Sequence, residues 1–379
     1  MRFPEFSGEW EQYRLGDLVE IRSGVSPSGV VEDIGVSPFY KVEQLNNCHI
    51  KLGATPYWTK QSAIPADSIV FPKRGAAIMT NKIRISTQPC QIDTNLMALT
   101  VVNNEKFDFK FIYHFIDRCN LSKIADTSTI PQINNIHINP LKIRIPSFDE
   151  QKKISTLFTI LDERIATQIK VIEKLESLIR GIVTKVCSRT FVKGEYVFLR
   201  DILTERHIKN TENYEVCSVS VSQGIVNQID YLGRSFAAKE TLHYNVVNYG
   251  DVVYTKSPTG DFPYGIVKRS NIHRSVAVSP LYGVYLPKND YIGRFLHLYF
   301  KSPINAKNYL HRLIQKGAKN TINITNSHFL DNKVFIPDDA ELKNIVHLTS
   351  AIEDKLILAN QMLDSLKNQK SYLLSKMFI

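Results

Sequence analysis

The chain carries one sequence pattern twice. Residues 15–115 correspond in type and spacing to residues 199–299, displaced by 184 positions, although few residues are identical. After a difference of seven residues the displacement becomes 191, so that the pair Ile145-Pro146 corresponds to Ile336-Pro337. Because each copy is larger than the repeat of a solenoid protein, the pattern predicts two domains of one architecture. Such a duplication favours recognition of a target that has two parts.

Length and composition are those of an ordinary globular protein. The 379 residues are enough for two to three domains, each with its own core. No apolar segment marks the N-terminus, and no uninterrupted apolar stretch approaches the roughly 18 residues of a membrane span. The five cysteines are scattered and never form a CxxC pair. We therefore expect no disulfide framework and no zinc site, and a reducing cytoplasm as the location.

The net charge of +10 and the pI near 9.2 are the first indication of a partner. An excess of Lys and Arg attracts polyanions, most often nucleic acid. Charge alone does not decide the matter, since many basic proteins bind no nucleic acid.

Short apolar runs separated by turn-rich segments predict a mixed α/β domain in each copy. The predicted elements are strands at residues 69–71, 83–85, 96–102, 251–254 and 277–286, and helices at residues 107–118 and 291–300.

The segment after each Ile-Pro pair carries apolar residues that alternate by four and three positions over more than four heptads. This pattern is typical of a coiled-coil seam, and its register recurs 191 residues later. The residues predicted for the seam are Phe158, Leu161, Ile165, Ile172, Leu175, Ile179, Ile182, Ile352, Leu356, Leu363, Leu366 and Leu373. The alternative is one long surface helix per domain, packed on its own core.

The two predicted helices are natural partners for each other, since each seam spans about 33 residues, or roughly 50 Å. We expect them to pair antiparallel, which is a hypothesis from the tandem layout because periodicity does not reveal orientation. The predicted fold class is therefore mixed α/β (α+β), with two similar globular domains separated by two long helices in an antiparallel coiled coil and a pseudo-two-fold internal repeat. The predicted boundaries are a first domain at residues 1–146, a first spacer helix at 147–188, a second domain at 189–337 and a second spacer helix at 338–379.

Catalytic motifs are mostly absent. The sequence has no GxxxxGK[ST], GxGxxG or HExxH motif. Residues 337–343 (PDDAELK) contain the letters of a metal-dependent nuclease motif, but all fall within one turn at a predicted helix start, where acidic residues complement the helix dipole. Residues 139–142 and 279–282 resemble a methyltransferase loop but lack its second proline. We predict a chain without enzymatic activity, cofactor or metal; a self-contained DNA nuclease or methyltransferase is the alternative that needs these motifs to be functional.

Polar and basic residues lie in loops at corresponding places in both copies. Arg and Lys suit phosphates and guanine edges, while Asn and Gln can recognise adenine in the major groove. We expect the pairs Asn81-Lys82 and Lys268-Arg269 at hairpin tips. A solvated loop explains any one of these residues alone, but recurrence at corresponding places supports the set. The predicted DNA-binding residues are Lys73, Arg74, Asn81, Lys82, Thr129, Gln132, Lys256, Ser257, Thr259, Lys268, Arg269, Lys316, Lys319, Asn320 and Thr321.

Short motifs at both ends and before the first long helix carry a family resemblance. They are residues 3–10 (FPEFSGEW), 15–17 (LGD), 145–151 (IPSFDEQ), 161–162 (LD) and 373–378 (LLSKMF). With these motifs and its tandem repeat, the chain resembles the specificity subunit of type I restriction–modification systems over essentially its whole length. The second copy departs from the pattern, because Glu341-Leu342 stands where Glu-Gln is expected.

The resemblance implies two target-recognition domains, each binding one half of a split, asymmetric site in double-stranded DNA, spaced by two antiparallel helices. It also implies that adenine methyltransferase subunits dock on the helices and hold S-adenosylmethionine. Restriction motor-nuclease subunits, which use ATP and Mg, would complete the complex. The family offers no guide to base contacts, because its recognition loops vary. A coiled-coil scaffold that touches no DNA is the remaining alternative.

Overall fold

The computed structural model describes residues 1–46, 50–187, 191–229, 240–316 and 322–378, and of residues 315, 316, 322 and 323 the backbone alone. The chain divides into two compact units. Unit 1 comprises Met1–Val171 and Ala359–Ile379, and unit 2 comprises Ile172–Leu358.

Unit 1 is rich in short strands. Its strands are β1 (Glu11–Arg14), β2 (Val19–Ser23), β3 (Ser37–Tyr40), β4 (Trp58–Thr59), β5 (Ile69–Pro72), β6 (Arg84–Ile85), β7 (Gln91–Ile92), β8 (Leu96–Val101) and β9 (Lys142–Ile145). Its short helices are α1 (Phe109–Cys119), α2 (Leu121–Ile124) and α3 (Asn135–Ile138), and the long helix α4 (Phe148–Val186) begins in this unit.

The central sheet of unit 1 is antiparallel, with the strand order β2-β8-β5-β6. Ile69 and Phe71 of β5 belong to the larger core cluster, whereas Val70 belongs to a second cluster. Side chains of a strand alternate between the two faces, so both faces of β5 are covered by apolar groups. This double coverage explains why β5 is an uninterrupted apolar run.

Unit 2 repeats this arrangement. Its strands are β10 (Gly194–Phe198), β11 (Leu203–Glu205), β12 (Cys217–Ser220), β13 (Gly224–Asn227), β14 (Asn245–Val247), β15 (Val252–Thr255), β16 (Ile266–Arg269), β17 (Val276–Val278), β18 (Gly283–Pro287), β19 (Gln315–Lys316), β20 (Ile322–Asn323) and β21 (Lys333–Pro337). Its helices are α5 (Asp290–Phe300), α6 (Pro303–His311) and the beginning of the long helix α7 (Asp339–Met377). The central sheet has the order β11-β18-β15-β16, which is the order of the unit 1 sheet in the corresponding strands. The predicted class, a mixed α/β protein with two β-rich domains and two long helices, is confirmed.

The motif before α4 ties the helix to its domain. Glu150 is fully buried and accepts two hydrogen bonds of 2.7 Å from Arg2, which directly precedes the opening motif. Gln151 accepts a hydrogen bond of 2.9 Å from the Asp108 backbone N–H, at the point where α1 begins. Leu342, which replaces the glutamine in the second copy, is buried in the apolar core of unit 2 instead. The first copy therefore anchors its long helix by polar contacts, and the second copy by packing.

Candidate nucleic-acid interface

Within unit 1 the last part of α7 lies antiparallel to the first part of α4. The Gln168 side chain donates a hydrogen bond of 2.9 Å to the Ala359 carbonyl. Lys370 Nζ lies 2.7 Å from Asp162 Oδ1. Residue numbers therefore fall along α4 while they rise along α7. Gln168 and Ala359 are 191 positions apart, so equivalent positions of the two copies face each other here.

The residues predicted for the seam are covered in both units. In unit 2, Ile179 is 2% exposed and lies in one cluster with Ile345 and Val346 of α7. In unit 1, Phe158 is fully buried in a cluster that also contains Leu374 and Met377. Each of the twelve predicted seam residues is buried or partly buried.

In unit 1 the first predicted DNA-binding loop follows β5. The Lys73 backbone N–H donates to the Asn95 carbonyl at 2.8 Å, and its carbonyl accepts from the Ile133 N–H at 2.8 Å. Gly75 follows with φ +85°, a backbone conformation that glycine adopts without strain. Arg74 is exposed between these fixed points. The loop is thus held by its backbone and leaves the Arg74 guanidinium free to meet a ligand.

Lys73 reaches across the central sheet to the end of β2. Its Nζ donates a hydrogen bond of 2.9 Å to the Ser23 hydroxyl at the end of β2. Partial burial, together with the adjacent Arg74 charge, lowers the pKa of Lys73. A cation that is poorly paired in this way is stabilised by an approaching phosphate. Ser23 is not among the residues predicted from the sequence, and no pattern in the sequence pointed to it.

The second predicted loop of unit 1 is joined to the first. Asp126 and Gln132 exchange two backbone hydrogen bonds of 2.9 Å, which closes the loop between them, and Thr129 is exposed within it. Arg74 and Gln132 form an isolated β-bridge. The Gly75 N–H donates to the Pro131 carbonyl at 2.8 Å. Two loops that are more than fifty residues apart in sequence therefore form one surface, which we name the unit 1 edge: Ser23, Lys73, Arg74, Thr129 and Gln132.

Asn81 and Lys82 lie elsewhere in unit 1 and have intramolecular partners. Asn81 adopts φ +46°; its Nδ2 donates to Asp117 Oδ1 at 3.1 Å, and its Oδ1 accepts from the Leu121 N–H at 2.8 Å. Lys82 Nζ donates to the Asn46 side chain. Asn81 thus joins α1 to α2, which leaves its amide little capacity for another partner.

In unit 2 the loop after β15 occupies the corresponding place. Lys256 is partly buried, which lowers its pKa, and the nearby Glu205 carboxylate partly offsets this effect. Ser257 and Thr259 are exposed. Thr259 and Phe262 exchange backbone hydrogen bonds of 3.1 and 2.9 Å, so the chain makes a tight turn between them.

The expected hairpin-tip location of Lys268 and Arg269 is wrong. Both lie within β16, at 3% and 2% exposure. Burial lowers the pKa of Lys268 to about 8. The Arg269 guanidinium donates to Asp290 and lies 4.6 Å from the centre of the Tyr249 ring. Both side chains are enclosed in the domain, where their apolar stems pack and their charged ends also lie. They therefore do not reach a DNA duplex.

The last predicted loop falls between β19 and β20. The backbone of Lys316 pairs with that of Ile322 in a two-stranded hairpin. Lys319, Asn320 and Thr321 lie outside the described residues.

The letters of a nuclease motif at residues 337–343 all lie at the start of α7. Asp339 and Glu341 are in the first turn of the helix, and Lys343 Nζ donates to Asp339 Oδ2 at 2.9 Å. This is the placement expected for residues that complement the helix dipole. Across the part of the chain that the structure describes, no three His, Cys, Asp or Glu side chains are grouped so that they could hold a metal ion. None of the described helices is long and apolar enough to cross a membrane.

The chain is similar in sequence to one protein family model and to several curated proteins. Residues 7–177 match the family model described as the type I restriction modification DNA specificity domain. The type I restriction enzyme MjaIX specificity subunit of Methanocaldococcus jannaschii is 23% identical over 183 residues, which are 45% of this chain and 42% of that protein. The putative type I restriction enzyme MjaX specificity subunit of the same organism is 26% identical over 208 residues, which are 51% and 48% of the two chains. The chain spans less than half the length of these curated relatives.

Solved structures share the fold. The S subunit of the type I restriction-modification system from M. genitalium aligns with a TM-score of 0.65 and 14% identity, covering 100% of this chain and 99% of that one. A structure described for complex assembly and conformational transition of the type I R-M system aligns with a TM-score of 0.53 and 12% identity, covering 98% of each chain. At these identities the likeness concerns the fold alone. The family match over residues 7–177 and the sequence relatives make the chain similar to the type I restriction–modification specificity subunits.

Proposed function

We propose that this chain is the non-catalytic DNA-recognition subunit of a type I restriction–modification complex, and that each β-rich domain binds one half of a split, asymmetric site in double-stranded DNA. In this proposal α4 and α7 set the number of unread base pairs between the halves and dock the adenine methyltransferase subunits. Those subunits would hold S-adenosylmethionine, and restriction subunits would use ATP and Mg.

The observation that carries the proposal is the joining of two predicted loops into the unit 1 edge. Lys73 and Arg74 supply positive charge suited to phosphates, and Gln132 supplies an amide suited to adenine. The backbone hydrogen bonds of Gly75 and Ile133 join the two loops to each other, and the Lys73 N–H fixes them to Asn95, next to the start of β8. A rigid support lowers the entropy lost when side chains engage DNA, so such loops suit sequence reading.

The proposed contact residues are fewer than the sequence predicted. In unit 2 we retain Lys256, Ser257 and Thr259, which occupy the place of the unit 1 edge. Lys268 and Arg269 are omitted because they are buried. The remaining residues, whose contacts with DNA stay predictions, are Asn81, Lys82, Lys316, Lys319, Asn320 and Thr321.

Exposed apolar residues on the long helices support docking of partner subunits, because a partner that covers them removes apolar surface from water, which is favourable. These residues, all between 42% and 63% exposed, are Ile160, Val171, Leu178, Leu348, Ile357, Leu358, Met362 and Tyr372.

The DNA-binding proposal is tested by the double variant Lys73→Ala/Arg74→Ala. If both side chains contact phosphates, binding weakens and the slope of log affinity against log salt falls by about two units, since each contact contributes roughly 0.9. Affinity is measured by fluorescence anisotropy on duplex DNA carrying the methylated motif mapped in the host, at several salt concentrations. The matched control is Lys142→Ala/Arg144→Ala, which removes the same charge from exposed positions on β9. Equal behaviour of the two double variants would remove the unit 1 edge from the DNA footprint.

A further inference from the structure

One cation in the seam of unit 1 joins three helices. The Lys370 side chain on α7 is 14% exposed, and its Nζ lies 2.6 Å from Asp117 Oδ2 on α1 and 2.7 Å from Asp162 Oδ1 on α4. Burial by itself lowers the pKa of Lys370, but the two carboxylates outweigh it and raise the pKa above its usual value. His114 of α1 also faces Asp162 and stays neutral, because burial and the nearby cations hold its pKa well below the usual range. Lys370 is therefore the cation on which both carboxylates depend.

The repeat places different chemistry at the equivalent positions of unit 2. Asp117 corresponds to Lys301, Asp162 to Glu353, and Lys370 to Ile179. Lys301 Nζ lies 3.1 Å from Glu353 Oε1. Ile179 is 2% exposed within the apolar core. Unit 2 thus has the base Lys301 where unit 1 has the acid Asp117, and the apolar Ile179 where unit 1 has the base Lys370.

Each set is complete in itself, and each is incompatible with the other. A domain that carries Asp117 would meet Glu353 and Ile179 on the helices of unit 2, so that two partly buried carboxylates would both lose their present cation. A domain that carries Lys301 would meet Asp162 and Lys370 in unit 1, so that two cations would compete for one carboxylate. Leaving a buried charge unpaired is strongly unfavourable, and buried polar groups at seam positions are known to fix pairing.

We propose that Asp117–Asp162–Lys370 and Lys301–Glu353–Ile179 are two residue sets that specify how the domains pair with the long helices. We name them pairing keys, since each set matches its own helix segments and not those of the other unit. The surface that α1 and the first half of α4 form accepts the last half of α7 and rejects the equivalent segment of α4. The partner that fits this surface is thus the last half of α7 of the same chain. The keys assign to each domain its own helix segments, and the inference does not depend on DNA reading.

The test inverts the unit 1 key in the full chain. Asp117→Lys alone places two cations around Asp162, and Lys370→Ile alone leaves two carboxylates unpaired; both loosen α1. The double variant Asp117→Lys/Lys370→Ile rebuilds the unit 2 key and restores protection. Hydrogen exchange of α1 peptides measures the effect: each single variant exchanges about tenfold faster or more, since a factor of ten is only 1.36 kcal/mol, and the double variant returns most of the way. The control is Asp117→Lys/Lys367→Ile, in which the second change lies at an exposed position of α7 and gives no rescue.

The reciprocal change tests unit 2. Lys301→Asp/Ile179→Lys installs the unit 1 key there and is compared with its two single variants through the α5 peptides. If these residues have a merely structural role, the α5 peptides of the double variant exchange faster than those of either single variant. If they form a pairing key, the α5 peptides of the double variant exchange more slowly. Failure of either double variant to exceed both of its single variants in protection overturns the proposal.

Discussion

Lengthening the helix pair by one heptad provides the most direct test of its proposed role as a ruler. Gln168 of α4 and Ala359 of α7 face each other, so seven residues inserted after each position leave the seam in register on both sides. Each helix gains about 10.5 Å at 1.5 Å per residue. At a rise of 3.4 Å per base pair, this length corresponds to roughly three base pairs of DNA.

The expected result is a methylated site with both half-sequences unchanged and the unread spacer longer by about three base pairs. Methylome sequencing of a host that carries the variant as its only specificity subunit measures this directly. The control inserts the heptad in α4 alone, which destroys the facing register; we expect it to abolish methylation. An unchanged spacer in the paired insertion refutes the ruler, because the helices would then not set the distance between the two contacts.

Three further predictions concern stability and modularity. Phe158→Ala removes a fully buried ring and should lower the free energy of unfolding of unit 1 by about 3–5 kcal/mol in chemical denaturation, whereas Ile160→Ala at an exposed position should cost less than about 1 kcal/mol; equal effects would contradict the packing. The pKa of Lys268 is about 8 in the fold and 10.5 when unfolded, so the unfolded chain holds its proton to higher pH and the stability of the wild type should rise between those pH values. Lys268→Met should abolish this rise and raise the stability at pH 7 by up to about 3 kcal/mol, whereas the control Lys333→Met, at an exposed position, should do neither. An unaltered pH slope in Lys268→Met would count against the buried cation. Exchange of residues 1–145 for the first domain of another specificity subunit should alter one half of the methylated site, and alteration of both halves would disprove modular reading.

The repeat and the helix pair could be predicted from the sequence because they depend on patterns that are regular along the chain. The 4-3 alternation continues through Gln168, and a single polar residue does not disturb it. In the structure this residue bonds to the Ala359 carbonyl. Long periodic segments constrain structure at every turn, so a local exception changes little.

The loop residues could be predicted only in part, because their roles depend on partners that are distant in sequence. Lys268 and Arg269 are charged neighbours, which suggests a solvent-exposed turn. Arg269 instead meets Asp290 and Tyr249, each about twenty residues away. Asn81 suits a turn, as expected, but its bond to Asp117 spans 36 residues. Such contacts leave no periodic trace in the sequence.

The differences between the two copies bear on the asymmetry of the proposed site. The central sheets share one strand order, yet unit 1 adds the sheet β4-β3-β7 whereas unit 2 adds the pairs β12-β13 and β14-β17. The loop after the central strand begins with Lys73-Arg74 in one copy and Lys256-Ser257 in the other. By the displacement of 184, Lys73 and Arg74 correspond to Ser257 and Pro258, so one copy places two cations where the other places a hydroxyl and a proline. These groups favour different contacts with DNA. If both domains read the same half-sequence, selection would keep these loops alike; their divergence on a common scaffold therefore favours two different half-sites, and a mapped site with identical halves would contradict this reasoning.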